Sequence, residues 1–98
     1  MGKEHEKVLR QYVLCYDRTE ILLPRGAEIL SVSQLHDRPF VVVLTDTLLT
    51  TQDTRVFHLI DLGRGFQYTP GMRFIGSIFA MKKVFCAFEE TLGGNVSS

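Results

Sequence analysis

The chain has 98 residues, enough for one domain and too few for a second hydrophobic core. Hydrophobic residues make up 45% and charged residues 22%, a balance that builds a packed globule and argues against disorder. Lysine plus arginine number 11 and aspartate plus glutamate 11, so the basic excess that a free-standing nucleic-acid binder uses against phosphates is missing.

The opening stretch MGKEHEKVLR is charged and has no apolar core, so residues 1–7 read as a charged segment and not as a signal peptide. Glu6 also stands where an acylated N-terminus wants serine or threonine. The expected location is therefore the cytoplasm, with Cys15 and Cys86 as reduced thiols. Strand patterns follow in VLRQYVLCY (8–16), TEILL (19–23), AEILSVSQL (27–35) and PFVVVLT (39–45). Three more are TRVFHLIDL (54–62), RFIGSIFA (73–80) and KVFCAFE (83–89). Each is rich in β-branched or aromatic residues and bounded by turn residues. Pro24-Arg25-Gly26 predicts a tight corner, while His36-Asp37-Arg38 and Met81-Lys82-Lys83 predict hairpin tips. The longest apolar run, FVVVL at 40–44, is far short of a membrane span. Residues 91–98 read as a flexible tail after a single β domain over 8–90.

Several strands are apolar on both faces, unlike a half-solvated sheet. In 54–62, Val56, Ile60 and Leu62 share a face with His58, and Phe57 and Leu59 share the other. In 73–80, strict alternation sets Phe74 and Ile78 against Ile75 and Phe79; in 83–89 it sets Val84 and Phe88 against Phe85. Such strands need cover on both sides. The expected fold is all-β, about seven short antiparallel strands in a small sandwich or barrel. A homodimer or higher oligomer would cover the second face, with Phe57, Leu59, Phe79 and Phe85 as the candidate interface.

The stretch DLGRGFQYTPG (61–71) is the one place that looks like a site. Gly63 and Gly65 begin a dinucleotide fingerprint, but Tyr68 occupies the third glycine position, no P-loop string is present and no helix follows. It reads either as a plain strand connection or as an exposed surface in which Arg64, Phe66, Tyr68 and Arg73, with Arg25, bind a partner. His5, His36 and His58 share no metal-ligand spacing with the cysteines, and nothing sets a serine or threonine against a histidine. No catalytic set, metal or cofactor is expected.

Leu23-Pro24, Gly26 to Val32, Asp46-Thr47, Gly63, Phe74-Ile75-Gly76 and Phe88-Glu89 occur in a distinctive order over roughly residues 19–90. In this order the chain resembles a family of small phage-encoded β domains of unassigned function. Two family histidines are missing: Arg64-Gly65-Phe66 stands in the glycine-rich turn, and Cys86 or Ala87 precedes the closing Phe-Glu. The resemblance implies a phage accessory protein and assigns no reaction. The expected function is non-enzymatic binding that inhibits or modulates a host or defence protein. The alternative is an oligomer that sequesters a signalling nucleotide at a protomer interface, with Arg25, Arg64, Arg73 and nearby aromatics forming the pocket, and a minor structural virion component comes third.

Overall fold

The computed structural model describes residues 6–46 and 51–91. Most of the charged segment 1–7, the tail beyond Thr91 and residues 47–50 lie outside them. Seven antiparallel strands form: β1 Lys7–Val13, β2 Asp17–Pro24, β3 Glu28–Leu35, β4 Arg38–Asp46, β5 Gln52–Asp61, β6 Met72–Ala80 and β7 Lys83–Glu90. They make a three-stranded sheet in the order β1-β4-β3 and a four-stranded sheet in the order β2-β5-β7-β6. The fold is all-β, and two sheets closing one core make it a sandwich.

The sequence dictates where the chain changes sheets. Leu14 to Tyr16 carry it from β1 to β2, so β1 ends three residues before its apolar pattern does. Leu14 is buried and its N–H donates to Pro39 O at 2.9 Å, while Cys15 N–H donates to Thr19 Oγ1 at 2.7 Å. The return from β2 to β3 uses the predicted corner. Ala27 N–H donates to Pro24 O at 3.0 Å, and Gly26 takes the left-handed conformation (φ +83°) that a side chain would strain. The hairpins β3–β4 and β6–β7 have two-residue tips, His36-Asp37 and Met81-Lys82, with all four residues left-handed. That is the conformation whose twist matches paired strands, adopted here without glycine.

The core lies between the sheets. Leu23, Val41, Val43, Phe57, Leu59, Ile78, Phe85 and Ala87 fill it, and burying a side chain such as Phe57 contributes about 2–3 kcal/mol. This reverses the expected interface. Phe57, Leu59 and Phe85 belong to the core and are closed to any partner; of that set only Phe79 is exposed. Both faces of β5 are apolar, so its pattern did not say which one turns inward.

One strand also breaks the strict alternation. The β6–β7 register shifts between Phe74 and Gly76, an irregularity that turns Phe74 and Phe79 to the same outer face while Ile75 and Ile78 meet the core. A similar shift lies between Ile29 and Ser31 in β3. The two irregular edge strands meet across the sandwich. A Cβ on Gly76 would stand 3.1 Å from Val32 Cγ1, so glycine permits the approach.

Candidate functional site

The outer face of the four-stranded sheet consists of four rows set by strand register. They are Leu62–Val84–Phe79, Ile60–Cys86–Ser77, His58–Phe88–Phe74 and Val56–Glu90–Met72. Three of the rows are rich in aliphatic or aromatic residues, which is the second apolar face seen in the sequence.

The loop from Leu62 to Gly71 folds back over this face. It leaves β5 through a turn in which Arg64 N–H donates to Asp61 O at 2.9 Å and Gly63 is left-handed (φ +91°). It rejoins the sheet through Met72 N–H to Thr69 O at 3.0 Å and Thr91 N–H to Gly71 O at 2.9 Å. Tied at both ends, the loop sets Phe66 on Phe88 with ring centroids 5.6 Å apart, and Tyr68 edge-on to the same ring at 6.1 Å. Phe74 meets Phe88 from the strand side at 5.6 Å, and Phe66 and Tyr68 touch each other at 6.2 Å. Phe88 is thus the half-buried hub of a four-ring cluster, within the spacing at which aromatic pairs attract.

The cluster is only partly covered. Tyr68 is 65% exposed, Phe74 56% and Phe66 44%, and Phe79 continues the apolar surface along β6. His58 borders it, with Nε2 2.8 Å from Glu90 Oε1. Beneath the loop a cleft of about 310 Å³ runs between His58, Glu90, Phe66 and Thr69, whose buried Oγ1 has no hydrogen-bond partner among the described residues.

The candidate arginines separate. Arg64 stands at the mouth of a second cleft of about 320 Å³ with Asp61, Lys83 and Tyr16. Its side chain makes no ion pair among the described residues. Arg73 donates to Glu89 Oε1 at 3.0 Å, and Arg25 reaches Asp53 Oδ1 at 3.2 Å. That hydrogen bond first, and the carboxylate charge second, push the Arg25 guanidinium pKa further up. Arg25 sits beside the start of β5 and Arg64 beyond its end, about 30 Å apart along a ten-residue strand. Within one protomer Arg25, Arg64 and Arg73 therefore do not converge. The structure gathers Phe66 and Tyr68 and adds Phe74 and Phe88, which sequence reading left as ordinary strand residues. Their joint signal was the two-sided pattern of β6 and β7.

No serine, threonine or cysteine side chain is hydrogen-bonded to His58 among the described residues. No group of three or more His, Cys, Asp or Glu is placed among them to hold a metal ion. No described helix is long and apolar enough to cross a membrane. No protein-family model, curated protein or solved structure matches the chain. The class defined by fold and site is an all-β sandwich with an aromatic outer face.

Proposed function

We propose that the chain is a non-enzymatic binding module that inhibits or modulates a protein partner by occupying its surface through the Phe66-Tyr68-Phe74-Phe79 face. The carrying observation is this run of exposed aromatic rings around Phe88. Large apolar side chains this open are costly to leave in water, and aromatic residues are the types that dominate binding energy at protein interfaces. Arg64, unpaired at the rim, supplies a guanidinium for a partner carboxylate. The motif resemblance supplies the setting: a phage accessory protein acting on a host or defence protein in the host cytoplasm. The alternative, an oligomer that sequesters a signalling nucleotide at a protomer interface, has to bring Arg25, Arg64 and Arg73 together from different protomers, because Arg25 and Arg64 lie at opposite ends of β5 within one.

A photo-crosslinking residue at position 68, in cells that carry the partner, tests the reading. One protein other than the chain itself should be captured there, and no such protein when the probe sits at Gln11 on the opposite sheet. Phe74→Ser should abolish capture while leaving the circular dichroism of the fold intact. Equal capture from both positions, or none from position 68 in folded protein, refutes it.

A further inference from the structure

A second apolar surface lies on the opposite side of the sandwich. Pro39, Val41, Val43 and Thr45 of β4 are buried, so alternation turns Arg38, Phe40, Val42 and Leu44 outward. On β1, Val13 pairs with Phe40, Gln11 with Val42 and Leu9 with Leu44. Leu9 is 61% exposed and Val13 57%, and Leu35 lies open beside Arg38. Among the described elements of the other sheet, the backbone of β6 comes nearest to β3 and β4, and the packing lies on the core side. No described element covers the outer face.

Its size fits a dimer. Three strands about 4.8 Å apart and eight residues long give, with their edge side chains, a footprint of roughly 20 by 26 Å, or about 500 Å² in projection. Gln11, Ser31 and Ser33 share this footprint with the apolar residues, and side-chain relief brings the whole face towards the ~800 Å² per partner of a specific interface, which is itself partly polar. Its charges are also self-complementary. Glu28, opposite Leu44, marks one end of the face and Arg38 the other, and neither makes an ion pair among the described residues.

We propose that this face binds a second copy of the chain, the two sheets packing face to face around a two-fold axis that passes over β4 at Val41, perpendicular to the strands, so that Arg38 of one copy lies level with Leu44 of the other and beside its Glu28. This operation brings Arg38 of each copy to Glu28 of the other, and the Phe40-Val42-Leu44 row packs on itself. A two-fold axis along the strands would instead set the two Arg38 side chains against each other. The outer faces of the two sheets point in opposite directions, so the dimer leaves both aromatic faces free. It is therefore bivalent towards a repeated or dimeric partner.

Sedimentation equilibrium on the full chain tests the proposal. The wild type should be a dimer, and Val42→Glu should raise its dissociation constant about 100-fold or more with an unchanged strand signal. Leu9→Lys, on an edge strand and already exposed, serves if Val42→Glu disturbs folding. Arg38→Glu and Glu28→Arg should each weaken the dimer, and the two together should restore it. A wild type that stays monomeric at about 200 μM overturns the proposal, as does a dimer indifferent to both apolar variants. A double charge swap no tighter than its single variants also overturns it.

Discussion

Glu89 ties the sandwich together at one end, and removing its carboxylate should be the most damaging single polar change. It lies near the end of β7 with its side chain 10% exposed. One oxygen accepts from Arg55 Nε on β5; the other accepts from Arg73 on β6 at 3.0 Å. Arg55, 22% exposed, also donates to Ala27 O at 3.0 Å, which extends the tie to the corner before β3. Three neighbouring strands of the four-stranded sheet thus meet at one carboxylate, and Arg55 links them to the corner that leads to β3.

Breaking a buried ion pair by removing one partner costs about 3–5 kcal/mol, because the remaining charge stays buried without compensation. Arg73 is largely exposed, so water screens its share to about 0–1 kcal/mol. Arg55 keeps Ala27 O and some contact with solvent, which places Glu89→Leu near the lower bound, about 3 kcal/mol. Against a total of ~5–15 kcal/mol for a domain of this size, that is about a fifth or more of the stability. Urea denaturation should show the loss directly, and thermal melting should show a Tm lower by roughly 12–20 °C. Adding Arg55→Met should recover at least ~1.5 kcal/mol, since an apolar pair of similar volume often replaces a buried ion pair without loss. A Glu89→Leu loss under about 1 kcal/mol, or strict additivity in the double variant, refutes this account.

Two further predictions concern other sheet-to-sheet contacts. Tyr16 OH donates to Asp37 O at 2.7 Å, and burial first, then the Asp37 charge, raises the Tyr16 pKa above its ordinary 10.0. A raised folded value stabilises the protonated phenol, so its contribution is complete below pH 10 and disappears as pH climbs through the folded value. Tyr16→Phe should cost about 1 kcal/mol at neutral pH and flatten the alkaline loss of stability; parallel profiles for the two proteins would exclude that role. At Gly76, alanine should cost about 1 kcal/mol through the 3.1 Å approach to Val32 Cγ1, and valine about 3. Val32→Ala should relieve the alanine penalty in a double-mutant cycle, and an unrelieved penalty would point to backbone strain instead.

Strand positions were legible because local chemistry fixed them. Pro24-Arg25-Gly26 makes the corner that the proline and glycine announce, and β-branched runs begin and end within a few residues of the observed strands. Sheet membership was not legible. The chain passes from one sheet to the other at Leu14 to Tyr16, inside an uninterrupted apolar run, and only the contact with Pro39 shows the crossing. The face assignment on β6 failed for a similar reason: an irregularity between Phe74 and Gly76 changes which side chains share a face, and no residue type marks it unambiguously. The arginines looked alike in sequence; Asp53 and Glu89, each distant along the chain, occupy two of them.

The glycine-rich loop and the two-sided strands are answers to the same physical problem. Strands β5, β6 and β7 have apolar residues on both faces, and one face is satisfied by the core. Water would otherwise meet all of the other. Phe66 covers part of it, lining a small cleft with Ile60, Cys86 and Phe88, and this explains why a strand connection carries aromatic rings. The cover cannot spread further. Thr91 N–H holds Gly71 O, and a Cβ at Gly71 would meet Thr91 O at 3.1 Å, so this end of the loop is pinned close to the sheet. Phe74 and Phe79 lie on β6, the outermost strand of the sheet, and both remain open. A loop evolved only to complete the core would place its rings over those residues too. Tyr68 instead points its ring into solvent beside them, extending the exposed aromatic surface. That arrangement conceals part of the apolar face and leaves a run of aromatic side chains open to solvent.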